Sequence, residues 1–156
     1  MKTTKAVSYK QRLDNLFERV ATFSDDIEIQ SHWAKYLCVL VSGFIETSVC
    51  AIYSEYARQK AAPNVAGYVC SKLEKFSNPK MEDICQLTGL FNETWRKKLE
   101  EITLGEIKDA VDSIVANRHH IAHGRDVGIS YVRVKQYYCK VVKMVELVEA
   151  TVFEEP

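Results

Sequence analysis

Glycine and proline are scarce in this chain, six and three in 156 residues. So few breakers leave long stretches free to follow one period, which argues against a sheet. Charge of one sign is also lacking, because 21 Lys and Arg balance 21 Asp and Glu. That excludes a nucleic-acid coat held by bulk charge, but not a local basic patch in a cleft. The five cysteines include no C-x-x-C pair, and their number is odd. Buried reduced thiols in a cytoplasmic protein are therefore expected rather than a disulfide framework. The stretch Met1–Arg12 has no apolar core of the kind a signal peptide needs. The most apolar run, around Cys38–Ile45, is short and flanked by polar residues, so no membrane span is expected. Repeats, low-complexity segments and linkers are absent. One domain over residues 1–156 is expected, long enough for a sizeable core.

What is present is helical periodicity. Apolar residues recur at steps of three and four in every segment. A first helix is expected from about Ser8 to Thr22, with the stripe Tyr9, Leu13, Leu16 and Val20 widened by Phe17. Ser24-Asp25-Asp26 ends it and caps the next helix, with Glu28 completing a D-x-x-E pattern. The second helix, Ile27 to Ala61, is long. Trp33, Leu37, Leu40, Phe44, Ser48 and Ile52 form one stripe, and Tyr36, Val41, Ile45, Val49 and Tyr56 widen it. A helix apolar over so much of its circumference belongs at the centre. A third runs from Asn64 to Phe76 after Pro63, carrying Val65, Val69 and Leu73. Ser77-Asn78-Pro79 is then a stop and restart, with Pro79 at a first helical position. A short helix with Met81, Ile84 and Leu87 stops at Gly89. Asn92 caps the next, where Trp95, Leu99 and Ile102 align. The last, Ser130 to Phe153, has an inner face of Tyr131, Val134, Tyr138, Val141, Val145, Val148 and Val152. An all-α bundle of about five to seven helices is expected.

The unusual chemistry lies in Val115–Arg125, V-A-N-R-H-H-I-A-H-G-R. Three of the four histidines fall here: His119, His120 and His123. The pattern predicts one helix from Thr103 to His123. Thr103 and Glu106 read as a capping box, Ile102 and Ile107 as a hydrophobic staple, and Gly124 as the stop. Leu104, Ile107, Val111, Ile114 and Ile121 form its apolar series, and Arg118 completes that series. A cation on such a stripe is costly unless it is paired, half-solvated at a seam, or used.

Three chemistries are open to this cluster. The first is a metal site. His119 and His123 are separated by four positions, about 40° around a helix, and share a face. The spacing resembles H-E-x-x-H, but His120 stands where the glutamate base would be, and the sequence offers no obvious third ligand. The second is structural: histidines at a solvated helix end, where the dipole favours their protonated form, with Arg118 paired to a carboxylate such as Glu46. The third is metal-free RNA cleavage. RNA carries its own nucleophile, the 2′-OH beside the scissile phosphate. The protein must then supply a base, an acid and a cation. Histidine serves as either of the first two, and arginine suits phosphate oxygens.

Arg118, His119 and His123, at the end of a helix in a small all-helical chain, resemble the HEPN superfamily and its R-x(4–6)-H motif. A polar residue usually follows the arginine there. The context A-N-R-H-H-I-A-H-G is similar to the RiboL-PSP and related toxin-like branches. The resemblance spans the chain in helix pattern and about eight residues in motif. It implies a homodimeric endoribonuclease that needs no metal or cofactor. Arg118 and His123 would be the catalytic pair and His119 an auxiliary group. Asn117, just before the arginine, and His120, inside the motif, would be further auxiliary residues, with Glu46 corresponding loosely to an acidic residue on an earlier helix of some families. The implied partners are an RNA substrate, a second copy completing a composite site, and an antitoxin or regulatory protein. The toxin branch paired with a nucleotidyltransferase has a tyrosine two residues after the motif histidine, where this chain has Arg125. A silent dimer used for RNA binding or protein interaction is the alternative reading. In a regular helix Arg118 and His123 stand about 140° apart. They converge only if the helix loosens at His123, the arginine reaches around, or a second subunit contributes.

Overall fold

The computed structural model describes residues 1–22 and 26–153. Within them lie seven helices and no strand: α1 (Thr4–Ala21), α2 (Ile27–Lys60), α3 (Pro63–Leu73), α4 (Met81–Phe91), α5 (Glu93–Thr103), α6 (Glu106–Ala122) and α7 (Tyr131–Phe153). The steps of three and four dictate this: each helix has one buried face, and those faces meet. α2 packs against α1, α3, α6 and α7. Leu37, Val41, Phe44, Ile45, Val49 and Ile52 of α2 are fully buried, so it is the central helix that its wide apolar circumference predicts. Its apolar stretch is longer than the run Cys38–Ile45 suggests. An 18-residue window of α2 is long and apolar enough to cross a membrane, and 61% of that window is buried inside the bundle. Packing against the other helices accounts for that apolarity. Tyr36, read as part of the inner face, is 51% exposed.

α7 supplies the opposing wall, with Val134, Tyr138, Val141, Val145, Val148 and Val152 buried as the alternation requires. Phe17 of α1 stacks on Tyr138 at 4.8 Å between centroids. The Glu149 carboxylate on α7 accepts bonds from the Thr3 N–H, the Thr3 hydroxyl and the Lys2 N–H. Burial alone would raise its pKa, but those bonds outweigh it and the net shift is downward.

Several boundaries move. α1 begins at Thr4, earlier than Ser8. Ser24 and Asp25 lie outside the described residues. Asp26 is the N-cap of α2, accepting from the Glu28 and Ile29 amides. The two prolines exchange roles: Pro63 opens α3, whereas Pro79 precedes Lys80, the N-cap of α4. In α3 the buried residue of the first turn is Ala66, and Val65 is exposed. Gly89 does not stop α4, which continues to Phe91. Asn92 caps α5 as expected, accepting from the Thr94 and Trp95 amides.

The largest correction is at Thr103–Glu106. There is no capping box and no continuous Thr103–His123 helix. Thr103 ends α5, and its hydroxyl donates back to the Leu99 carbonyl. Leu104 is 78% exposed, and Gly105, at φ +86 and ψ −127, turns the chain into α6. Glycine reaches that backbone region without the Cβ penalty other residues meet.

Candidate functional site

The far end of α6 is built on its buried residues. Val111, Ile114 and Val115 fix the helix against the core, while Ile107 and Ile121 are half-buried. The helix ends where Gly124 predicts. Gly124, at φ +67, donates to the Ile121 carbonyl and Arg125 donates to the His120 carbonyl. This pair of bonds is the Schellman arrangement, with His123 as its C-cap at φ −94 and ψ 15. His123 therefore sits at the point where the helix ends, its N–H still donating to the His119 carbonyl at 3.2 Å.

Arg118 is half-buried at the margin of the buried face, a cation at a seam. Among the described residues no carboxylate lies within ion-pair distance of it. The expected pairing with Glu46 does not form. Glu46 instead accepts the Asn78 N–H at 2.8 Å. Arg118, His119 and His120 line a groove of about 440 Å³, with Val115 and Ala116 as its apolar part and Asn78 and Lys80 as its other wall. Among the described residues no acidic side chain lines it. His123 stands outside this lining but close to it, its ring centroid 4.4 Å from that of His119. The shared face of positions 119 and 123 is thus real, and His119 links the groove to His123. Among the described residues no hydrogen bond joins Arg118 to His123, and Arg118 does not lie over its ring.

The other cluster members are engaged differently. Asn117 turns back on its own helix, its amide donating to the Ser113 carbonyl at 2.8 Å. His120 lines the groove and also meets the Arg125 guanidinium, 3.3 Å from its Nδ1. His119 titrates below the ordinary histidine range. Partial desolvation is the largest cause, followed by the positive charges of His123, His120, Arg125 and Arg118. The expectation that this helix end favours a protonated ring does not hold at His119, where desolvation and then the neighbouring positive charges act the other way. Among the described residues no three of His, Cys, Asp and Glu converge as metal ligands, so the pair His119–His123 gains no third member.

A larger cavity, about 680 Å³, lies elsewhere between α1, α2 and α3. Lys2, Lys5 and Arg58 alternate there with Glu46, Glu55 and Glu74, so it has no preference for charge of either sign. It contains none of the histidines. Asn78 and Lys80 are the groove residues that sequence reasoning missed. Their signal was Asn78-Pro79, since asparagine tolerates the left-handed backbone and Asn78 adopts φ 48.

A model of the RiboL-PSP-HEPN family matches residues 6–152. No curated protein and no solved structure matches the chain.

Proposed function

The chain belongs to the RiboL-PSP-HEPN family, and from that membership we propose that it is a metal-independent endoribonuclease acting as a two-fold dimer. The family points to RNA-related, nuclease-like chemistry. The observation that carries the finer reading is Arg118: half-buried, with no carboxylate partner and no acid in its groove among the described residues, beside His119 and so one ring from His123. A guanidinium left unpaired at such a seam is ready for an anion. The 2′-OH of the RNA attacks the adjacent phosphate. The new 2′-O–P bond forms, the P–O5′ bond breaks, and Arg118 stabilises the added charge. His119, which lines the groove beside Arg118, takes the 2′ proton. His123 gives a proton to the leaving 5′ oxygen. The products end in a 2′,3′-cyclic phosphate and a 5′-OH. A cytoplasmic role as the toxic effector of a toxin–antitoxin or anti-phage system, restrained by an antitoxin or a regulatory protein, belongs to the same proposal.

The test is cleavage of single-stranded RNA by the purified protein in EDTA. Activity should persist and DNA should remain intact, because the nucleophile lies in the ribose. Loss of one proton-transfer group typically costs about 100- to 10,000-fold in rate. His123→Ala and Arg118→Ala are each expected to lose activity on that scale while the circular dichroism spectrum stays helical. If His123→Ala cuts as well as the parent, or chelation stops cleavage, the mechanism is wrong. If the protein binds RNA and never cuts it, a silent RNA-binding dimer is the correct description.

A further inference from the structure

The loop between α3 and α4 forms one wall of the groove, and nothing in the R-x(4–6)-H motif accounts for it. Asn78 and Lys80 line the groove opposite Arg118. The surroundings of Lys80 leave its ammonium group uncommitted. Asp83 accepts the Lys80 backbone N–H at 2.8 Å. Asp112 accepts the Met81 N–H at 2.9 Å and pairs with Lys108 at 2.6 Å. Both nearby carboxylates thus serve other groups, and among the described residues the Lys80 Nζ has no ion-pair partner. Two cations, Lys80 and Arg118, therefore line one groove together with His119 and His120, and among the described residues no acid joins them there.

The loop is held in place from below. Asn78 occupies a left-handed backbone conformation, φ 48, which costs energy for a residue with a Cβ. Its N–H donates to the half-buried Glu46 carboxylate of α2, a charge-assisted bond at 2.8 Å. Glu46 touches the loop and not the guanidinium, so it acts on the groove through the loop.

We propose that loop 77–80 is a phosphate-binding subsite for single-stranded RNA, in which Lys80 holds the phosphate next to the one Arg118 engages. Glu46 is a positioning residue that sets the loop through the Asn78 amide. This rests on the RNA-cleaving reading above. A chain of phosphates needs more than one cation to fix its register, and two cations lining one groove offer a contact to each of two phosphates of the same strand.

The test is equilibrium binding of a mixed-sequence single-stranded oligoribonucleotide in a His123→Ala background, where cleavage does not interfere. Affinity is measured over a range of salt concentrations. Each phosphate contact contributes about 0.7 to the slope of log affinity against log salt for single strands. Lys80→Gln is exposed on the loop and is expected to lower the slope by about that amount, with a several-fold affinity loss at low salt. Glu46→Ala is expected to weaken binding too, and Lys80→Gln should add little in that background. Glu46→Gln keeps an acceptor oxygen for the Asn78 amide and should bind near the parent level. An unchanged slope for Lys80→Gln overturns the subsite. Full affinity in Glu46→Ala, or effects of the two substitutions that simply add, overturns the positioning role. Parent protein that binds RNA without cutting it overturns the chemistry proposed above and leaves the subsite to its slope. Parent protein that binds no RNA overturns both.

Discussion

At the residue scale the decisive fact is that three histidines and two arginines crowd one helix end without a carboxylate among them. Their positive charges push against one another, and His119 carries the cost as a lowered pKa, behind its partial desolvation. An ordinary histidine titrates near about 6.5. The His119 ring should titrate below that in a histidine-resolved NMR titration. His123→Asn removes the largest charge acting on it and should move the midpoint upward. An unmoved midpoint would show that the two rings do not sense each other. The sign for stability follows from linkage. A lowered folded-state pKa means that the unfolded chain binds the proton more tightly. The contribution is therefore intact above the unfolded value and is lost as pH falls through the folded one.

At the element scale, two glycines shape α6. Gly105 turns the chain from α5 into its start, and Gly124 closes its end. A Cβ added at either would meet no atom within 4 Å, so a substitution is penalised by the backbone and not by a clash. Gly124 at φ +67 is in the left-handed region that asparagine tolerates. Gly105, at φ +86 and ψ −127, lies where other residues are strained by about 1–3 kcal/mol. Gly124→Asn should therefore change stability little, and Gly105→Ala should lower it by about that range in urea denaturation. The reverse order would mean that the α5–α6 turn relaxes around a side chain. Gly124→Ala is expected to fall between them, and to disturb His123 because the Schellman bonds set the backbone on both sides of it.

At the scale of the whole molecule, a zero net charge supplies no bulk attraction for RNA, so any affinity must come from the local arrangement at the groove. No hydrogen bond joins Arg118 to His123 in one chain, and a two-fold axis through the end of α6 would bring two copies of each together. Sedimentation should find a dimer at micromolar concentration, and a monomer there would sink the composite site. Mixing chains gives a sharper outcome. A heterodimer of Arg118→Ala with His123→Ala regains one intact Arg118–His123 pair only if the pair forms across the interface. Recovered cleavage, up to about half that of the parent, is expected, since one of two sites is whole. No recovery would place each site within a single chain.

The sequence by itself determined the helices and which faces they bury. The inner face of α7, the centrality of α2, the Asn92 cap and the Gly124 stop all follow from local patterns, because helical period and capping depend on neighbours within a turn or two. The motif Arg118–His123 was legible for the same reason. What it left undecided depends on contacts distant in the chain. Leu104 fitted the helical period, yet tertiary packing puts Leu104 and Gly105 in a turn instead. Tyr36 fitted the apolar face of α2 and is left exposed, since no neighbouring helix covers that arc. Glu46 was read as the partner of Arg118, and only the folded chain gives it the Asn78 amide. The groove itself, with Lys80 and Asn78 brought opposite Arg118 from more than thirty positions away, is a product of packing. No local rule encodes it, because its walls become neighbours only when α4 docks against α6.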